Sequence, residues 1–220
     1  MATKLSNDAP LCGPPSRGMR WELFGPRLGR RLGGTRSLRE DYFVLQECDP
    51  TVTSYLPWYA LKYHVNSKDI ESIVEAKVRY SDGHSEIHLV RYANADADSG
   101  SSSERKALEA CAEAQDSTLR VWGEDEIRGN ETYLRNCHTI LPWARDTHNP
   151  SDTDTQTILG IILGDGNPMT LAQVSQRANL AIETIVAVVI RAYLRHRLYL
   201  IDFRARKFGR HSQVASSPSK

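Results

Sequence analysis

Two alternating runs around one turn restrict the fold more than any other feature of the chain. From Ile70 to Tyr80, Ile73, Glu75, Lys77 and Arg79 alternate with Val74, Ala76, Val78 and Tyr80. Ser81-Asp82-Gly83-His84 follows, a turn signal in which Asp and Gly tolerate tight backbone, and Glu86 to Tyr92 supplies the partner strand. A period of two sends successive side chains to opposite faces, so the stretch predicts an antiparallel hairpin. Upstream, Tyr55 to Val65 reads as a strand, with Trp58, Ala60 and Lys62 opposite Tyr59, Leu61 and Tyr63. Before it, Ser37 to Gln46 reads as a helix: Ser37 can N-cap, Leu38, Tyr42 and Leu45 share a face, and Asp49-Pro50 ends it. Asn94 to Ser103 is a polar loop, Glu104 to Gln115 a helix, Thr118 to Trp122 a short strand, and Glu124 to Leu141 a helix broken near Gly129. Helix, three strands, helix, strand, helix predicts an α/β or α+β domain.

A second unit follows a linker of His, Asn, Pro, Ser and alternating Asp and Thr at 147–156. Thr157 to Leu163 reads as a helix, Gly164 to Pro168 as a turn, and Thr170 as the cap of a helix over Leu171 to Ala178. Asn179-Leu180 is a tight turn before a helix over Ile182 to Arg197 and a strand over Leu198 to Phe203. This is the pattern of a winged helix-turn-helix. Its second motif helix offers only Glu183, Thr184 and Arg191 for polar contacts, and Glu183 repels phosphate. Backbone contact or protein docking therefore suits it better than base readout.

The net charge is +1, from 28 Lys and Arg against 27 Asp and Glu, but the charge is unevenly placed. Arg17, Arg20, Arg27, Arg30, Arg31, Arg36 and Arg39 face one acid, Glu22, before Glu40, in a stretch scattered with Gly and Pro. Residues 1–36 are therefore expected to be a basic, extended arm suited to neutralising phosphate. From Asp152 onward nine Lys and Arg oppose five acids, and Arg204, Arg206, Lys207 and Arg210 fall where a wing or tail would lie. These four, with Arg27, Arg30, Arg31 and Arg36, are the expected DNA-binding residues, with double-stranded DNA as the partner. Residues 211–220 are expected to be a disordered tail.

The longest apolar run, Ile185 to Ile190, falls far short of the ~18 residues a membrane helix needs. The N-terminus lacks the apolar core of a secretory signal, so a cytoplasmic location is expected. The four Cys, at 12, 48, 111 and 137, form no C-x-x-C pair, which argues for isolated thiols over a zinc site or disulfide framework. The four Trp are expected in the core or at packing surfaces. Asp165-Gly166 lacks the later ligands of a Ca²⁺ loop and reads as a turn.

A metal-dependent phosphodiesterase needs carboxylates to hold a divalent cation and a base or cation near the attacking water. The first helix offers Glu40, preceded by Arg39. The first hairpin strand offers Glu75, and the second Glu86, His88 and Arg91. Glu75 alone is as consistent with a solvated strand residue beside Lys77 and Arg79. Glu86 and His88, two apart on one strand face, suit a surface pair better than a metal site.

Residues 37 to 52, Ser-Leu-Arg-Glu-Asp-Tyr-Phe-Val-Leu-Gln-Glu-Cys-Asp-Pro-Thr-Val, resemble the opening helix of TnsA-type transposon endonucleases. Ser54 to Tyr63, Glu75 to Gly83 and Ile87 to Arg91 are similar to the segments that follow, and Thr118 to Ile127 with Tyr133 to Asn136 to the late strand and helix. The likeness covers about 37 to 143 and rests on ordered short matches. It implies an α/β restriction-endonuclease-like core at 37–146, a mixed sheet flanked by helices, followed by a small winged-helix-like domain at 157–210. Members cut the 5′ ends of transposon DNA beside a DDE transposase and contact an AAA+ regulator, so these proteins are the implied partners.

The resemblance carries catalytic positions onto Glu40, Glu75 and Arg91, with Glu75 and Glu40 as ligands of Mg²⁺ if the site is active. The family spacing, counted back from Val52, puts its helix Glu at Arg39, and Glu40 lies one residue late, a rotation of ~100°. Glu75 is one methylene longer than the family Asp. Arg91 replaces a Lys and stays charged at working pH. These departures imply an inactive or impaired nuclease fold that still binds DNA or partners. The alternatives are an active Mg²⁺ endonuclease and a winged-helix regulator with a degenerate nuclease domain.

Overall fold

The computed structural model describes residues 11–14, 18–65, 67–92, 102–145 and 149–216. Arg17 and parts of the expected arm, polar loop, linker and tail lie outside them. The chain divides into two compact units, Met1–Gln46 with Thr51–Gly129 and Glu47–Pro50 with Asn130–Lys220.

The first unit opens with strands β1 (Leu11–Cys12), β2 (Arg20–Gly25) and β3 (Arg30–Thr35), which form a small sheet in the order β1-β3-β2. The expected arm is thus folded over these residues. Trp21 pairs with Gly34 across the β2–β3 hairpin, and a Cβ at Gly34 would meet the Trp21 ring at 2.6 Å. Gly34, one of the Gly residues that suggested an extended segment, instead makes room for an aromatic ring. Trp21 itself is buried, 5.8 Å from Phe43 and 6.3 Å from Trp58, ring centre to ring centre.

Helix α1 (Ser37–Cys48) and the long strands β4 (Val52–Val65) and β5 (Lys68–Tyr80) follow, then β6 (Ser85–Val90), α2 (Ser102–Glu113) and β7 (Thr118–Trp122). The second sheet runs β4-β5-β6-β7, antiparallel except for the parallel β6–β7 pair. The expected hairpin is present: the Tyr80 amide bonds the His84 carbonyl at 3.0 Å and Gly83 takes φ 94°. Neighbouring residues of β6 serve opposite faces. Ile87 packs with Leu61, Val74, Leu108 and Ala112 on the α2 side, and His88 lies against Tyr42 of α1. The helix expected over Glu124 to Leu141 is divided into α3 (Glu124–Arg128), α4 (Glu131–Ile140) and a 3-10 turn (Leu141–Ala144), because Asn130 caps a new start through the Tyr133 amide.

In the second unit, α4 and the 3-10 turn are followed by α5 (Asp152–Asp165), β8 (Met169–Thr170), α6 (Leu171–Ala178), α7 (Ile182–Leu194), β9 (Leu198–Ile201) and β10 (Gln213–Ser216). The sheet order is β8-β10-β9, antiparallel throughout. Helix α5 begins inside the expected linker because the Ser151 hydroxyl accepts the Asp154 amide. Thr170 and Gln173 form a capping box, and Asn179 ends α6 at φ 53°, as the tight turn required. Residues 213–216, expected in a disordered tail, are the central strand of this sheet. Val214 is fully buried and pairs with both Met169 and Leu200. No helix among the described residues is long and apolar enough to cross a membrane.

Candidate functional site

The first-unit site lies where β5 and β6 part. Their pairing runs from Arg79 with Ser85 to Ala76 with His88 and goes no further. At the next residue, Glu75 reaches across the gap, and its Oε2 accepts the Val90 amide at 2.7 Å. Its Oε1 accepts Nε of Arg39, from the first turn of α1, also at 2.7 Å. Glu75 is 1% exposed and the Arg39 side chain 20%. Burial pushes the Glu75 carboxyl up from its ordinary value, and the Arg39 charge and the Val90 amide pull it part of the way back. Trp58, held at φ 54° in the middle of β4, stacks edge-on against Phe43 at 4.9 Å and lies 6.0 Å from the Arg39 guanidinium carbon.

The sequence-expected residues meet only in part. Glu75 is buried, which overturns the solvated reading. The residue that meets it is Arg39, and Glu40 is neither hydrogen-bonded nor ion-paired to Glu75. Arg91 carries the β6–β7 ladder onward, its amide bonding the Trp122 carbonyl at 2.9 Å. Among the described residues, no three His, Cys, Asp or Glu side chains gather closely enough to hold a metal ion. Glu75 already has a permanent cation on one oxygen and an amide on the other. Where Glu75 and Glu40 were expected to hold Mg²⁺ together, Glu75 is paired with Arg39 instead.

Beside this fork lies a polar network that the sequence placed on the surface. His88 is fully buried under α1. Its Nδ1 lies 2.7 Å from the Tyr42 hydroxyl and its Nε2 2.7 Å from Glu86 Oε2. An ionised carboxylate only accepts, so Nε2 carries the proton and Tyr42 donates to Nδ1. Tyr80 also donates to Glu86 Oε2, at 2.9 Å, and Arg120 Nη1 stands 3.5 Å from it. Burial lowers the His88 pKa from its ordinary value. Desolvation pushes Glu86 up, but hydrogen bonds from His88 and Tyr80, the charge of Arg120 and, once the ring is protonated, the charge of His88 outweigh it and hold the carboxyl at about 2. The period of two identified the shared face of Glu86 and His88, but the cover over it comes from Tyr42 and Trp122, distant in sequence.

The expected DNA-binding residues divide into two groups. Of those in the expected arm, Arg27, Arg31 and Arg36 are engaged within the first unit. Arg27 donates to the Val52 carbonyl, Arg31 pairs with Glu22 at 2.9 Å, Arg36 lies 4.8 Å over the Tyr92 ring, and Arg30 is half-buried. Those of the second unit lie between β9 and β10, where Arg204, Arg206, Lys207 and Arg210 are all exposed. The Arg204 guanidinium carbon is 4.3 Å over the Tyr133 ring, and Arg206 stands 3.6 Å from Asp202.

Asn136 of α4, which the sequence did not single out for a role, organises that loop. It is 1% exposed. Its Nδ2 donates to the Phe203 and Arg206 carbonyls, each at 2.7 Å, and its Oδ1 accepts the Phe208 amide at 2.8 Å. Its helical spacing from Tyr133, Cys137 and Ile140, which puts a polar residue on the apolar face of α4, was the available signal.

Comparison with protein-family models and with curated proteins finds no match for this chain.

Proposed function

We propose that the chain is a TnsA-like DNA-transposition protein that binds transposon-end DNA and its transposase and AAA+ partners without cutting DNA itself. The carrying observation is the Arg39–Glu75 pair. Where the resemblance expects a helix Glu to help hold a divalent cation, this chain sets a guanidinium against the remaining carboxylate. The cation seat is filled by the protein's own charge.

Two features of chain order support the wider reading. In the first unit α1 precedes three antiparallel strands, then α2, then a strand parallel to the third. This order supports the reading of a restriction-endonuclease-like core. In the second unit, the order from α5 onward is helix, strand, two helices and two strands, with the last strand central, which supports the winged-helix reading. The exposed basic loop between β9 and β10 supports DNA as the partner.

The test is incubation of the full chain with labelled duplex DNA in Mg²⁺, in Mn²⁺ and in EDTA. Salt-sensitive binding with no cleavage in either metal is the expected result. Metal-dependent cleavage that disappears in Glu75→Ala overturns the reading and makes the protein a working nuclease.

A further inference from the structure

We infer that the loop between β9 and β10 is a preshaped clamp for the phosphate backbone of duplex DNA, held in form by Asn136 and indifferent to base sequence. The inference rests on the DNA-binding reading above and assigns it a surface and a mode of contact.

The loop is fixed at both ends and in the middle. Phe203 and Phe208 are buried, their rings edge-to-face at 6.1 Å. Asp202 takes φ 55°, and its carbonyl accepts the amides of Ala205 and Arg206, each at 2.8 Å. Asn136 then holds three more backbone groups of the same segment. The backbone's polar demands are thus met from inside, and the cationic side chains are left outside. A loop ordered before binding loses little conformational entropy on contact.

The neighbouring helix excludes base reading. Eight of the thirteen residues of α7 are buried, from Ile185 to Tyr193, and exposed Glu183 sits in its first turn. Major-groove readout needs donors and acceptors from such a helix. Phosphate contact needs only placed cations, and its signature is a salt dependence of about −0.9 in log–log slope for each phosphate neutralised.

The experiment is fluorescence anisotropy of the full chain with two 20-base-pair duplexes of unrelated sequence across a salt series. The wild type is compared with Arg206→Gln/Lys207→Gln and with Asn136→Ala. Both duplexes are expected to bind within about threefold of each other. The double variant is expected to lose at least tenfold in affinity and about 2 units of salt slope, one for each of two phosphates. Asn136→Ala is expected to lose affinity and to become sensitive to trypsin at Arg204, Arg206 and Lys207. The double variant should gain no such sensitivity at Arg204. Unchanged binding by the double variant overturns the inference, as does more than tenfold discrimination between the duplexes. Displacement of DNA by polyglutamate at equal charge overturns it in favour of an acidic protein partner. Cleavage by the wild type would overturn the non-cutting reading and leave the clamp standing, so the two fail separately.

Discussion

Arg39 Nε and Glu75 Oε1 stand 2.7 Å apart, and the two side chains are unequally protected: that of Glu75 is sealed in and that of Arg39 is 20% exposed. The two partners should therefore respond unequally to removal.

Arg39→Ala leaves a buried, uncompensated carboxylate. Its expected cost is about 3 kcal/mol, the lower end of the range for breaking a buried pair because Arg39 is not fully buried. Glu75→Gln removes the charge that burial disfavours and can still accept the Val90 amide. Its expected cost is under about 1 kcal/mol. Urea unfolding of the two variants checks this, and equal losses would contradict it.

Acid should weaken the first unit in two stages. The folded pKa of His88 lies below its ordinary 6.5, so the unfolded chain binds the proton first and stability falls as pH drops below about 6.5. Glu86 is depressed from 4.5 to about 2, so its contribution is present above 4.5 and lost as pH falls through that window. It is on the order of 3 kcal/mol. Glu75 has the opposite sign, since a raised carboxyl favours folding once protonated. Glu86→Gln should flatten the lower stage, and Glu75→Gln should steepen it. Urea midpoints from pH 8 to pH 3 read both changes.

The hairpin of β2 and β3 is as much part of the first unit as its larger sheet. Gly34→Ala would press a methyl group into the Trp21 ring. A loss of about 1–3 kcal/mol is expected, with a changed tryptophan emission spectrum. A variant with unaltered stability would return these residues to the status of an arm.

The turn between α6 and α7 depends on a left-handed residue. Asn179→Ala should cost about 1 kcal/mol, and Asn179→Gly should hold stability, because only the Cβ is penalised at φ 53°. Thermal unfolding distinguishes the two.

What the sequence disclosed was set by range. The β5–β6 hairpin, the Asn179 turn and the capping of α6 are local, and turn chemistry or a period of two or 3.6 residues was enough to find them. The folding of 20–35 escaped because Gly34 and Trp21 explain each other only once paired across two strands. His88 was misplaced for a similar reason: its face was readable, but its cover, Tyr42, lies 46 residues away. Arg39 was legible as a departure from the resemblance, yet its partnership with Glu75, 36 residues on, required the strands to diverge at that point. The strand over 213–216 was missed because four residues carry too little pattern to outweigh a polar surrounding.

The clasp on the basic loop also bears on how the chain can be divided. Asn136 is 67 residues from Phe203 and 72 from Phe208, so the loop's shape is written far upstream of the loop itself. A fragment beginning at residue 149 would contain every strand and helix that looks like a module in the sequence and would still lack the side chain that gives the loop its form. Exchange of modules between related chains would have to carry α4 along, and selection on Asn136 and on residues 203–208 would act on them as one unit.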